Sequence, residues 1–180
     1  MTRVKEHRAA GFFGRSVEIV LLAAFIAAAV FAVFTKWLVP VKVEGNSMSP
    51  SLREGEVVIA DRFFQYGRGL KRGDLVAVRD SEDSLFIRRI AALPGETADI
   101  VEGKLYIDGC PVEEPYIVTF FDEVSMEPYT VPQGAYFILS DDRRNTLDSR
   151  SETIGPVLQE DVWGLIRFRI LPADRMNIFR

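Results

Sequence analysis

Between Ile19 and Val39 the chain carries 21 residues that are apolar apart from Thr35 and Lys36. As a helix this run is about 30 Å long, close to the hydrocarbon thickness of a bilayer. It therefore predicts a transmembrane anchor. Arg3, Lys5, Arg8 and Arg15 all precede it, so the positive-inside rule leaves residues 1–18 in the cytoplasm and sends residues 40–180 across as an extracytoplasmic domain. Lys36 and Trp37 suit the outer interface, where an indole and a snorkelling ammonium both reach water. A cleavable signal peptide also fits, because Ala27-Ala28-Ala29 offers small residues in an Ala-x-Ala arrangement. The apolar run continues to Val39, however, which puts those alanines at mid-membrane and favours an uncleaved anchor. A buried core helix is the third reading, and the polar flanks and Pro40 weigh against it.

Charge divides along the same boundary. Residues 1–42 hold six basic and two acidic side chains, a net +4, while the whole chain is −4, so the remainder is −8. An acidic domain without basic clusters lacks the positive footprint that nucleic acid requires. The single cysteine, Cys110, can form no internal disulfide and reads as a half-buried turn thiol. His7, the only histidine, reads as a solvated tail residue. Nothing in the composition points to a metal or a cofactor.

Beyond Pro40 the pattern becomes one of short β-branched and aromatic runs separated by Gly, Pro and Asp turns. It predicts a mainly β domain of ~140 residues, long enough for its own core. Strands are expected at Val41–Val43, Val57–Arg62, Leu75–Arg79, Leu85–Leu93, Thr97–Val101, Lys104–Ile107, Tyr136–Leu139 and Val162–Ile170. Asp108-Gly109 after Leu105-Tyr106-Ile107 signals a two-residue hairpin, since both turn positions tolerate positive φ. Glu113–Pro132 is less periodic and reads as an excursion off the core.

Several ordered boxes then stand out. Gly45-Asn46-Ser47-Met48-Ser49-Pro50-Ser51-Leu52 follows the apolar run; Lys71-Arg72-Gly73-Asp74-Leu75-Val76, Phe86-Ile87-Arg88-Arg89-Ile90 and Lys104–Gly109 with Glu114-Pro115-Tyr116 come next. Ser140-Asp141-Asp142-Arg143-Arg144-Asn145-Thr146-Leu147-Asp148-Ser149-Arg150 and Val162-Trp163-Gly164 complete the series. Together they resemble the type I signal peptidases, from the anchor to about Pro172. The resemblance implies a β fold of the signal peptidase and LexA-like type. It also implies a serine nucleophile at Ser47 activated by a lysine, with signal peptides of exported proteins as substrates. In this sequence Arg88 occupies the lysine's position. The resemblance implies further that Thr146 matches a hydroxyl that orients the base, and that Arg89, Asp141, Asp148 and Arg150 match positions forming supporting ion pairs. Ser140 stands where the pattern has Gly, and Asp142 where it has Asn. Gly45 stands where some relatives carry a second oxyanion donor. Met48 fits either an apolar membrane-facing surface or ordinary core.

The chemistry turns on residue 88. A serine hydroxyl needs a base to take its proton and a donor for the oxyanion that its attack creates. A lysine can serve once burial lowers its pKa. A guanidinium stays protonated in proteins and offers no lone pair. Arg88 therefore reads either as a strand residue paired with an acid such as Asp141 or Asp142, or as a group that orients substrate. Two functions remain open. One is a membrane-bound serine endopeptidase acting on signal peptides at the outer membrane surface. The other is a non-catalytic relative that binds extended segments of exported proteins and assists their maturation or assembly. A soluble self-cleaving repressor-type protease is disfavoured by the anchor.

Overall fold

The computed structural model describes residues 4–64, 69–80, 84–118 and 124–179, with side chains from residue 17 onward, Val33 excepted. The side chains of Lys5, His7, Arg8 and Arg15 therefore lie outside the described part. The chain divides into two compact units, residues 1–37 and 38–180.

The first unit is one helix, α1 (Val4–Trp37). Within it Val17–Trp37 has a mean hydropathy of 2.7 and none of that window is buried. Such a helix is long and apolar enough to cross a bilayer. It ends at Trp37, and the last two residues of the expected span behave differently: Leu38 and Val39 open a strand. Pro40 sits inside that strand rather than just after the helix, a position that costs no ladder bond at the edge of a sheet.

The second unit is built from twelve strands among the described residues: β1 (Leu38–Lys42), β2 (Val57–Asp61), β3 (Leu75–Arg79), β4 (Leu85–Ala92), β5 (Thr97–Val101), β6 (Lys104–Ile107), β7 (Cys110–Pro111), β8 (Met126–Thr130), β9 (Ala135–Leu139), β10 (Val157–Leu158), β11 (Val162–Leu171) and β12 (Asn177–Ile178). The larger sheet runs β1-β2-β11-β3-β4-β9-β10, with β12 paired to β11; the smaller runs β7-β6-β5-β8. All the pairings are antiparallel.

The strand period of two explains how the larger sheet acquires two covered faces. On β3, Leu75 and Ala77 join Val43, Met48, Leu52, Val58, Ala60, Ile87 and Ile166 in one core cluster. Their neighbours Val76 and Val78 join Ile90, Tyr136, Ile138, Val162 and Leu165 in another. With both faces buried, the strand reads as a continuous apolar run rather than an alternating one. A third cluster ties β5 and β6 to the far ends of β4 and β9 through Ala92, Ile100, Leu105, Phe137 and Leu139.

Two local expectations change. Glu113–Pro132 is not wholly an excursion, because Met126–Thr130 pairs with β5 at the edge of the smaller sheet. Cys110 is exposed on β7 rather than half-buried. The hairpin before it is as expected: Asp108 and Gly109 have φ of 50° and 77°, the left-handed pair that a tight turn between β6 and β7 requires.

Candidate active site

Ser47 lies on a short turn between β1 and β2. Its scaffold is the apolar anchor pair Met48 and Leu52, 2% and 0% exposed, which plug the turn into the core. Met48 is therefore core, and the membrane-facing reading of it falls away. The Leu52 N–H donates to the Met48 carbonyl at 2.8 Å and the Ser49 N–H to Asn46 at 3.0 Å. Across the site the Asp142 N–H donates to the Ser47 carbonyl at 2.9 Å, joining the turn to the loop after β9. Gly45 has φ of +68° with open space around the place a Cβ would take. Room exists for a second donor there, but the backbone conformation favours glycine.

Arg88, near the middle of β4, brings its side chain to the same place. It is 5% exposed. Nη1 donates to Ser47 Oγ at 2.8 Å and to the Ile87 carbonyl at 2.6 Å, and Nε donates to the Leu147 carbonyl at 2.8 Å. The guanidinium also lies over the Phe86 ring, 5.1 Å from its centroid. Burial lowers its pKa, the Asp148 carboxylate opposes that shift and the Arg150 charge adds to it. It remains a cation and a donor. The Ser47 hydroxyl is thus an acceptor for a fixed positive charge, and no base among the described residues takes its proton.

The expected partners of Arg88 are elsewhere. Asp141 is bound by Arg89, through Nε at 2.8 Å and Nη2 at 2.6 Å. Asp142 is held by Arg144 at 3.0 Å through both Nε and Nη2, which pulls its carboxyl below the usual range. Neither acid pairs with Arg88, so the reading of Arg88 as one half of such a pair is corrected. The reason is strand alternation: Arg88 and Arg89 leave β4 on opposite sides, and Asp141 faces Arg89.

Around this centre the remaining candidates form a buried polar frame. Arg89 also donates to the Gly73 carbonyl at 2.8 Å and to Ser51 Oγ at 3.1 Å, and stacks 3.8 Å from the Tyr116 ring centroid. Asp148, fully buried, accepts from the Ser140 N–H at 2.9 Å and from Arg150 Nε and Nη2 at 2.8 and 2.7 Å. Ser140 is equally buried, and its hydroxyl has no hydrogen-bond partner. Thr146 is exposed and makes no hydrogen bond to Arg88. The carbonyl of the next residue, Leu147, orients the guanidinium instead.

One group of residues has no counterpart in the sequence reading. Glu56, 3% exposed, is gripped by Arg169 Nη1 at 3.1 Å and by Arg175 Nη1. The same two arginines donate to the carbonyls of Ser51 at 2.6 Å and Pro50 at 3.1 Å. They thereby hold the stretch that follows Ser47 from the far end of the chain. Sequence separations above one hundred residues left no local signal for these contacts.

A serine on a solvent-reachable turn, with a buried strand cation on its hydroxyl, defines a Ser/cation-dyad site on a mainly β domain. Among the described residues no three His, Cys, Asp or Glu side chains are grouped as a metal ion would need. Comparison with known proteins agrees with that class. A family model described as "Signal peptidase, peptidase S26" matches residues 16–171. Signal peptidase I U of Bacillus subtilis is 33% identical over 168 residues, covering 88% of this chain and 89% of that protein. Signal peptidase I T of the same organism is 34% identical over 148 residues, covering 77% and 76%. A crystal structure of a signal peptidase I from Enterococcus faecalis V583 aligns with a TM-score of 0.47 at 28% identity, over 54% of this chain and 97% of that one. The chain belongs to the signal peptidase family.

Proposed function

We propose that this protein is a membrane-anchored member of the signal peptidase family that holds signal peptides, or other extended segments of exported proteins, at the Ser47–Arg88 site without cleaving them efficiently. The observation that carries this reading is the 2.8 Å hydrogen bond from Arg88 Nη1 to Ser47 Oγ. A lysine in that position accepts the serine proton once neutral; a guanidinium cannot. The hydrolytic alternative draws on the retained Ser47 hydroxyl and on its backbone N–H, which has no acceptor among the described residues and would be the donor an oxyanion needs. Roles for Arg89, Asp141, Asp148 and Arg150 follow from their bonds: they hold the loop after β9 and the turn of Ser47 in register. The positive residues before the apolar span Val17–Trp37 favour a cytoplasmic N-terminus and an outer-surface site. A C-terminal tag open to external protease in intact cells is the expected readout of that orientation.

Retention and cleavage separate in one experiment. The full chain in detergent micelles, incubated with a labelled pre-protein, is expected to co-purify with it uncut. Recovery of free mature protein, absent with Ser47→Ala, would overturn the reading, and so would failure to retain the pre-protein at all.

A further inference from the structure

Buried arginines around the site have anions of their own, with one exception. Arg89 pairs with Asp141, Arg143 with Glu114, Arg150 with Asp148 and Arg169 with Glu56. Arg88, 5% exposed, belongs to none of the ion pairs among the described residues. The Asp148 charge acts on it, but the two Asp148 oxygens are taken by Arg150 and the Ser140 N–H. Nε and Nη1 of Arg88 are spent on two carbonyls and on Ser47 Oγ, whereas Nη2 makes no hydrogen bond among the described residues. A buried charge without a partner is costly, and the cost is relieved when an anion arrives.

The donors of Ser47, whose hydroxyl Nη1 already touches, suit one kind of anion. The Ser47 N–H has no acceptor among the described residues, and the Ser47 hydroxyl, already accepting from Arg88, has its own proton to give. A planar carboxylate takes two oxygens to such a set, one on the guanidinium and one on the serine. The neighbouring backbone says what carries the carboxylate. The β4–β9 ladder begins at Arg89 and Leu139, so Leu85–Ile87 is paired to β3 on one side and to no described strand on the other. An extended peptide added along that open edge runs beside Arg88.

The geometry points to a carboxylate site: Arg88 Nη2 with the N–H and hydroxyl of Ser47 receives the C-terminal α-carboxylate of an extended peptide, the end that an endopeptidase creates when it cuts. This rests on the reading of the site as one that binds signal peptides without cleaving them. The preferred ligand is then the released signal peptide rather than the intact pre-protein, and the reaction that supplies it is endoproteolysis by another enzyme.

The test uses the full chain in detergent micelles and two fluorescent decapeptides ending in Ala-Gln-Ala, one with a free carboxylate and one with a carboxamide. Charged hydrogen bonds of this kind are worth about ten- to hundredfold in affinity, so the free acid is expected to bind tighter by about that factor. The preference should vanish in Arg88→Met and survive in part in Arg88→Lys. Equal affinity of acid and amide for the unaltered protein overturns the carboxylate site, and needs no variant to fold. Pre-protein retention is measured in parallel: if it persists while acid and amide bind alike, only this inference falls. If the unaltered protein binds neither peptide nor pre-protein, both fall.

Discussion

Arg88 and Arg89 are neighbours on β4, yet they meet opposite surroundings. Arg89 forms a two-point bond with Asp141 and stacks on Tyr116, whereas Arg88 donates to carbonyls and to a hydroxyl. Tyr116 reports on this frame through its own titration. Its hydroxyl donates to Glu114 Oε1 at 2.8 Å, and burial, followed by the Glu114 charge and that bond, pushes the phenol far above its ordinary range. The folded protein keeps the phenol neutral while the unfolded chain ionises it near pH 10. Stability from this group is therefore complete below about pH 10 and declines as pH rises beyond it. Thermal melts between pH 8 and 11.5 should show that decline, and Tyr116→Phe should flatten it; an unchanged slope in the variant would contradict the assignment. At this scale the meeting of Ser47 and Arg88 was legible, because both sit in short ordered boxes. Their partners were not. Asp142 was one of two acids expected to pair with Arg88 and its carboxylate instead holds Arg144, and a group that orients Arg88 is a carbonyl, which no side-chain motif records.

Among the elements, the interior strands were readable and the edges were not. β3, β5 and β6 coincide with their apolar runs, since burial enforces the pattern. β8 escaped notice because Met126-Glu127-Pro128-Tyr129-Thr130 is mostly exposed and carries a proline, which an edge strand tolerates. The turn after Ser47 depends on elements remote in sequence. Arg169 of β11 and Arg175 beyond it meet on Glu56 and hold the carbonyls of Ser51 and Pro50. Replacing Glu56 leaves two cations facing each other in a buried position. Glu56→Gln should cost about 3–5 kcal/mol of stability, as breaking a buried pair from one side does. Chemical denaturation followed by tryptophan fluorescence measures it. A loss within experimental error would mean that the turn is held by Met48 and Leu52 alone.

The whole molecule joins an apolar helix to a two-sheet β unit whose larger sheet carries the serine site, and its sequence was most informative where physical constraints are strictest. A run of bilayer length has few alternatives, and a β domain with both sheet faces covered announces itself by continuous apolar strands. The electrostatic outcome was less readable, because it depends on which acid each arginine reaches in three dimensions. That outcome is central to the proposed function: Arg88 donates to Ser47, and no described residue accepts that serine's proton. The most direct measurement is the rate of pre-protein cleavage by the purified full chain, by its Ser47→Ala variant and by Bacillus subtilis signal peptidase I U under the same conditions. General-base assistance is worth roughly 10²- to 10⁴-fold, so the unaltered chain should fall below the Bacillus enzyme by about that factor and lie close to Ser47→Ala. Arg88→Lys combined with Ser140→Gly should recover part of the rate, while adding Asp142→Asn should change little, because that carboxylate is engaged by Arg144. Turnover by the unaltered chain at the rate of the Bacillus enzyme, abolished by Ser47→Ala, would contradict the account.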